Sequence, residues 1–252
     1  MKTSIYDLNG EVKGEIELPE VFESELRLDL LQKAFRVISL SNRRSYGASP
    51  NAGLRRVGHT SGPGMGISRM PRVSGSSRAV LLGSTKGGRS PHSPRSNKVM
   101  ALSINKKEKI SAWKTAISLC AKSDVVKARG HKFGKELSFP IVVDDEINKI
   151  EKTREAKNFL ESMGLWEDIE RAKEKTKIRS GRGTMRNRTY RTPKSILIVT
   201  DSPDSMKAFK SLPGVDVSHS KNIPISKLAP GGVGGRLTIF TESSVRKIGG
   251  EQ

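Results

Sequence analysis

Ser195-Ile196-Leu197-Ile198-Val199-Thr200-Asp201-Ser202-Pro203 is the stretch that decides the fold. Four consecutive aliphatic residues, three of them β-branched, read as a strand buried on both faces. Such strands belong to parallel sheets covered by helices. The Asp-Ser-Pro that follows predicts a helix start, with proline suited to the first turn. A second copy of the pattern lies upstream: Phe139–Val143 is a short apolar run that stops at Asp144-Asp145. Val215–Val217 and Leu237–Phe240 predict further short strands, and Thr241–Ile248 a closing helix. Strands alternating with helices predict an α/β layered fold with a mainly parallel sheet.

Working outward, Ser4–Leu8 and Glu11–Leu18 read as strands, with Asn9-Gly10 as a hairpin signal between them. Leu26, Leu30, Leu31, Ala34, Phe35 and Ile38 recur at helical spacing. A helix is predicted over Lys106–Lys122, capped by Ser103 or Asn105, with Ala112, Trp113, Ala116, Ile117 and Cys120 as its apolar stripe. Helical patterns also cover Thr153–Met163 and Leu165–Lys175, broken at Gly164.

The charge is unevenly placed. The 252 residues carry 46 Lys/Arg against 26 Asp/Glu, a formal net charge of +20. No acid occurs between Asp29 and Glu108. Ser41–Met100 holds 11 basic residues, 10 Gly, 12 Ser and 5 Pro. That composition has too little apolar side chain to offset the entropy of ordering it. A second stretch, Arg171–Lys194, has 10 basic residues and the single acid Glu174, so everything else balances at 25 against 25. An ordinary body with two basic appendages is the reading, and the partner that suits them is a dense array of phosphates.

The candidate phosphate contacts follow. In the long stretch they are Arg43, Arg44, Arg55, Arg56, Arg69 and Arg72, then Arg78, Lys86, Arg89, Arg95 and Lys98. In the second they are Arg179, Arg182, Arg186, Arg188, Arg191 and Lys194, with Tyr190 placed to stack on a base. Arg236 joins them beside Gly231-Gly232-Val233-Gly234-Gly235. That run precedes a strand and lacks a following Gly-Lys-Ser/Thr, so it fits neither nucleotide-binding fingerprint. It predicts a flexible turn or backbone lying against RNA.

Catalysis has few candidates. Asp144, Asp145 and Asp201 fall at the carboxyl ends of strands, where α/β sheets bind ligands. They suit helix caps, or a magnesium site for phosphoryl chemistry. No nucleophile or base pairs with them in the sequence. The histidines His59, His92, His131 and His219 lack metal-ligand spacing, and the lone Cys120 sits on an apolar helix face. No metal, cofactor or small-molecule substrate is expected, and no run of about 18 apolar residues implies a membrane span. Composition implies a soluble, intracellular polyanion binder. An RNA-modifying enzyme with basic arms, or a free RNA-binding regulator, remain as alternatives.

Ile178–Arg188 and Leu228–Lys247 resemble two hallmark segments of the large-subunit ribosomal protein four family, in its archaeal and eukaryotic branch. The order of segments is similar along essentially the whole chain, and the absence of a long basic tail resembles archaeal members. The resemblance implies a cytoplasmic, non-enzymatic constituent of the large ribosomal subunit that binds its rRNA and supports assembly. It implies a three-layer Rossmann-like α/β body over 1–40 and 101–252, containing the basic segment 171–194. It also implies a long extended basic loop over 41–100 that penetrates rRNA and lines part of the nascent-peptide exit tunnel, beside ribosomal protein twenty-two. By position the tip of that loop is Met70-Pro71-Arg72-Val73-Ser74-Gly75-Ser76. Sixty residues doubled back extend up to roughly 100 Å, against a body whose radius of gyration is about 16 Å. Gly87-Gly88-Arg89 is followed by Ser90-Pro91-His92-Ser93-Pro94, where family members often carry an Ala-His-Pro-like run.

Overall fold

The computed structural model describes residues 1–53, 55, 57–80, 82–85, 88–134 and 137–250. The chain divides into two compact units, Met1–Ile38 with Ser103–Gln252, and Ser39–Leu102.

The larger unit is built on a six-stranded sheet. Its strands are β1 (Lys2–Tyr6), β2 (Val12–Glu17), β3 (Ile141–Val143), β4 (Leu197–Thr200), β5 (Asp216–His219) and β6 (Thr238–Thr241), in the spatial order β2-β1-β3-β6-β4-β5. Only the edge pair β1–β2 is antiparallel; the remaining pairs are parallel. The period-2 alternation of a strand sorts its side chains onto two faces. Val142, Leu197, Val199 and Phe240 enter one apolar cluster, while Ile141, Val143, Ile196, Ile198 and Ile239 enter the other. Helices α1 (Leu28–Ser41), α2 (Lys106–Cys120) and α6 (Glu242–Gly250) supply the first cluster. Helices α3 (Ser123–Ala128), α4 (Thr153–Ser162) and α5 (Trp166–Glu174) supply the second. Each fully buried aliphatic contributes about 1.5–3 kcal/mol, so a continuous run such as 196–199 needs both helical layers.

Three local expectations need correction. Asn105 occupies the N-cap position of α2 but makes no side-chain cap. Leu26 lies outside α1 and is exposed. The helix expected from Pro203 does not start there: turns occupy 203–206 and a single helical turn follows at Lys207–Lys210. The carboxylate of Asp201 accepts hydrogen bonds from Ser220 and Lys247 instead of capping a following helix.

The smaller unit is not featureless. Its backbone doubles back, with the Ala48 N–H donating to the Pro94 carbonyl at 2.9 Å. Gly58–His59 pairs antiparallel with Arg72–Val73. Arg72 also bridges Ala79 around a turn in which the Ser76 N–H donates to Val73. Val80 is buried there against Gly58, where an added Cβ would lie 2.1 Å from its Cγ2. Within the expected tip at 70–76, β-branched Val73 and its neighbour Arg72 form the middle rung of a small meander, between a largely irregular connection over 60–71 and a turn at 74–77.

Candidate nucleic-acid interface

Residues 177–191 form a closed arm on the larger unit. Lys177–Ile178 pairs antiparallel with Tyr190–Arg191, and a helical turn at Arg182–Met185 caps the end. The Arg179 N–H donates to the Thr189 carbonyl at 2.7 Å, and Arg179 Nε to the Arg188 carbonyl at 3.1 Å. Arg182, Arg186, Arg188 and Arg191 are exposed, and so are Ile178, Met185 and Tyr190. The arm therefore presents forked donors and apolar faces together, a combination suited to phosphate and base.

The root of the arm is a buried polar hub. Asp168 on α5 is completely inaccessible and accepts five hydrogen bonds. The donors are His131 Nδ1 at 3.0 Å, the Lys132 N–H at 3.1 Å, Arg171 Nε at 2.8 Å, Arg171 Nη2 at 3.2 Å and Ser195 Oγ at 2.8 Å. Arg171 also donates to the Lys194 carbonyl at 3.1 Å, so this hub clamps both ends of the segment. Burial alone would raise the Asp168 pKa, but the bonds from His131 and Arg171 hold it well below the usual carboxylate range. Asp168→Asn is expected to cost about 3–5 kcal/mol at pH 7, the typical penalty for breaking a buried pair. A depressed carboxylate stabilises the fold at every pH above its unfolded value, near 3.9, and loses that effect as pH falls through the folded value. In urea titrations, the gap between wild type and variant should close only below about pH 4.

Arg236 corrects the sequence reading. It is fully buried, not an RNA contact. Its Nε donates to the Ser195 carbonyl at 2.7 Å, Nη1 to Lys227 at 2.8 Å, and Nη2 to Ile196 and Gly214 at 3.2 Å each. Asp216 pairs with it at 2.8 Å. Burial pushes its pKa down, and Asp216 opposes that. A guanidinium so enclosed is out of reach of phosphate. Of the preceding glycines, Gly232, Gly234 and Gly235 are likewise internal, while Gly231 is exposed. A Cβ on Gly234 would lie 2.2 Å from Leu119 Cδ1, and one on Gly235 2.6 Å from Val125 Cγ1, at a φ of +81°. These glycines let backbone approach α2 and α3, not RNA.

Lys194 is exposed but ion-paired with Asp216 at 2.9 Å. In the smaller unit, Arg43, Arg44, Arg55, Arg69, Arg78, Arg89, Arg95 and Lys98 are exposed. Arg72 is half-buried and donates to the Ser77 carbonyl. Arg56 and Lys86 lie outside the described residues. Of the expected tip, Ser74, Gly75 and Ser76 are exposed, while Met70, Pro71, Arg72 and Val73 are half-buried.

At the carboxyl edge of the sheet the three acids cross-link the body. Lys13 pairs with Asp144, holding that carboxyl below its usual range. Asp145 accepts from the Ser243 N–H at 3.2 Å and its hydroxyl at 2.7 Å, tying the start of α6 to residues after β3. Lys247 pairs with Asp201 at 2.8 Å. Asp7, Asp144 and Glu146 approach one another within 4.8 Å, and the Lys13 ammonium sits on that cluster. Among the described residues, no helix is long and apolar enough to cross a membrane.

A mainly parallel α/β body bearing an exposed cationic arm, joined to a second unit without a single acid from 39 to 102, defines a class: basic α/β proteins with large unpaired cationic surfaces. Sequence comparison specifies it further. A family model described as ribosomal protein L4/L1 family matches residues 16–251. Large ribosomal subunit protein uL4 of Thermoplasma volcanium is 56% identical over 247 residues, covering 98% of this chain and 97% of the relative. The Methanocaldococcus jannaschii protein of the same name is 42% identical, covering 98% of each. That of Aeropyrum pernix is 42% identical, covering 97% of this chain and 90% of its own. The chain belongs to the ribosomal protein L4/L1 family, and it is not an enzyme.

Proposed function

We propose that this protein is a structural constituent of the large subunit of cytoplasmic ribosomes, where both units bind rRNA and support assembly. The observation that carries the reading is the arm at 177–191. Its exposed arginines have no carboxylate partner among the described residues, so their charge is free for an external polyanion. The names of the relatives agree with it. Within this reading, the body is a three-layer Rossmann-like scaffold and the 41–100 segment an extended loop inserted into rRNA. Its tip, at 70–76, lines the exit tunnel beside ribosomal protein twenty-two and meets the nascent peptide.

The test is salt dependence. Each phosphate neutralised contributes about −0.7 to −0.9 to the slope of log affinity against log salt. Replacing Arg182, Arg186, Arg188 and Arg191 together by Gln is expected to flatten the slope by about three units. An unchanged slope would make the arm a solvated surface. Co-sedimentation with large subunits at one copy each separates a constituent from a free regulator.

A further inference from the structure

Between the root of the arm and the Gly-rich turn lies a cleft of about 600 Å³. Arg129, Arg171, Arg191 and Lys194 line it, with Pro230 and Val233 as an apolar side. Arg129 is the informative member. Its guanidinium donates to the carbonyls of Pro230 at 2.8 Å, Gly234 at 3.1 Å and Val233. That uses three of its five donors. No carboxylate among the described residues pairs with it, although it is half-buried. Burial pushes its pKa down, and the positive charges of Arg236 and Arg171 push it further. The acids nearby are already engaged: Asp168 by Arg171, and Asp216 by Lys194 and Arg236. Buried charges are ordinarily paired, so the cleft has an excess of positive charge with the geometry of a receptor.

We infer that this cleft receives one phosphodiester of an RNA strand, its phosphate against Arg129 and Arg191 and its ribose against Pro230 and Val233. This rests on the rRNA-binding reading and deepens it, since it places a discrete anchoring point in the body. A lone phosphate would leave most of the volume unfilled, whereas a nucleotide unit suits a cleft of this size. Forked guanidinium groups match phosphate oxygens in pairs. The apolar side explains why Val233, 56% exposed, stands among cations.

Removing Arg129 would also disturb the carbonyls it holds, so the decisive variants supply the missing carboxylate. Ala128→Glu introduces it from the wall at the end of α3, where Ala128 is exposed, and Val233→Glu from the opposite wall. Asn158→Glu, on exposed α4 surface outside the cleft, controls for net charge. Full-length proteins are titrated with large-subunit rRNA over a salt series, and their melting is followed with added inorganic phosphate. The expected result is a roughly tenfold loss of rRNA affinity, and a slope flatter by about one unit, for both cleft variants but not for Asn158→Glu. Phosphate should raise the melting temperature of wild type and not of the cleft variants. Failure of wild type to bind rRNA overturns the rRNA-binding reading itself. Wild-type binding with unaltered affinity and slope in a folded cleft variant overturns the cleft alone. So does a phosphate effect without any change in RNA binding, which would mark a site for free phosphate.

Discussion

Arg236→Met is expected to destabilise the fold severely and lower its urea midpoint. Methionine keeps the apolar stem and removes every donor. Four backbone carbonyls, from Ser195, Ile196, Gly214 and Lys227, lose their guanidinium partner at once. The Gly214 and Ile196 carbonyls also accept backbone N–H groups, from Ser195 and Asp216, so the loss falls mainly on the Ser195 and Lys227 carbonyls. An orphaned buried polar group costs about 1–3 kcal/mol, and a whole domain is stable by only about 5–15 kcal/mol. Asp216 retains Lys194 and is partly solvated, so it contributes the smaller share. Arg236→Lys should rescue partially, because an ammonium is a point charge that cannot reach four separated carbonyls. Arg182→Met, on the exposed arm, should stay within about 0.5 kcal/mol of wild type. The measurement is the urea midpoint of each purified chain. A wild-type midpoint for Arg236→Met would show that the carbonyls find other donors, and the role assigned to this side chain would fall.

Arg236 also shows where sequence reading stops. The strand at 195–199 was legible because an uninterrupted β-branched run has few uses other than a doubly covered strand, and it forms as Leu197–Thr200. Helices α4 and α5 were legible to within a residue or two, since the apolar period is strong and Gly164, at a φ of +68°, breaks it. An arginine after a glycine run looks the same whether it meets phosphate or carbonyl oxygen. What decides is the set of carbonyls converging from 195–196, 214 and 227, which are distant in sequence. The one available signal was position: Arg236 lies two residues before a fully buried strand. Asp168 was hidden likewise, as one acid on a charged helix, although Arg171 three residues on was a hint. Arg129 had no signal at all. The exposed arm was easier to read, because excess like charge is a property of composition and needs no knowledge of partners.

Loss of large-subunit assembly is the second large effect expected, on neutralising Arg43, Arg44, Arg55, Arg89 and Arg95 together. All five are exposed, on two stretches of backbone that meet where Ala48 donates to Pro94. No acid occurs in the smaller unit, so none of them is neutralised from within it. If each meets a phosphate, removing five flattens the salt slope by roughly 3.5 to 4.5 units, and affinity at physiological salt collapses. The meander at Gly58–Val80 should behave differently. It contains the expected tip, and its exposed turn at Ser74–Ser76 carries no charge. If that turn lines a tunnel, one side faces nascent chain and water, and its loss removes few phosphate contacts. Excising 58–80 whole is cleaner than deleting 70–76, which would strip Gly58–His59 of its strand partner; it removes three candidate contacts, Arg69, Arg72 and Arg78, and leaves the five at the base in place. The excised protein should enter subunits at normal stoichiometry on a sucrose gradient, while the five-arginine variant should not. Subunits carrying the excision should respond differently to tunnel-binding drugs, and a crosslinker at Ser74 in the full chain should capture nascent peptide. Normal assembly with no crosslink at any peptide length would place the turn elsewhere and sink the tunnel assignment. Normal assembly of the five-arginine variant would sink the rRNA role of the smaller unit, because no other measured consequence follows so directly from unpaired charge.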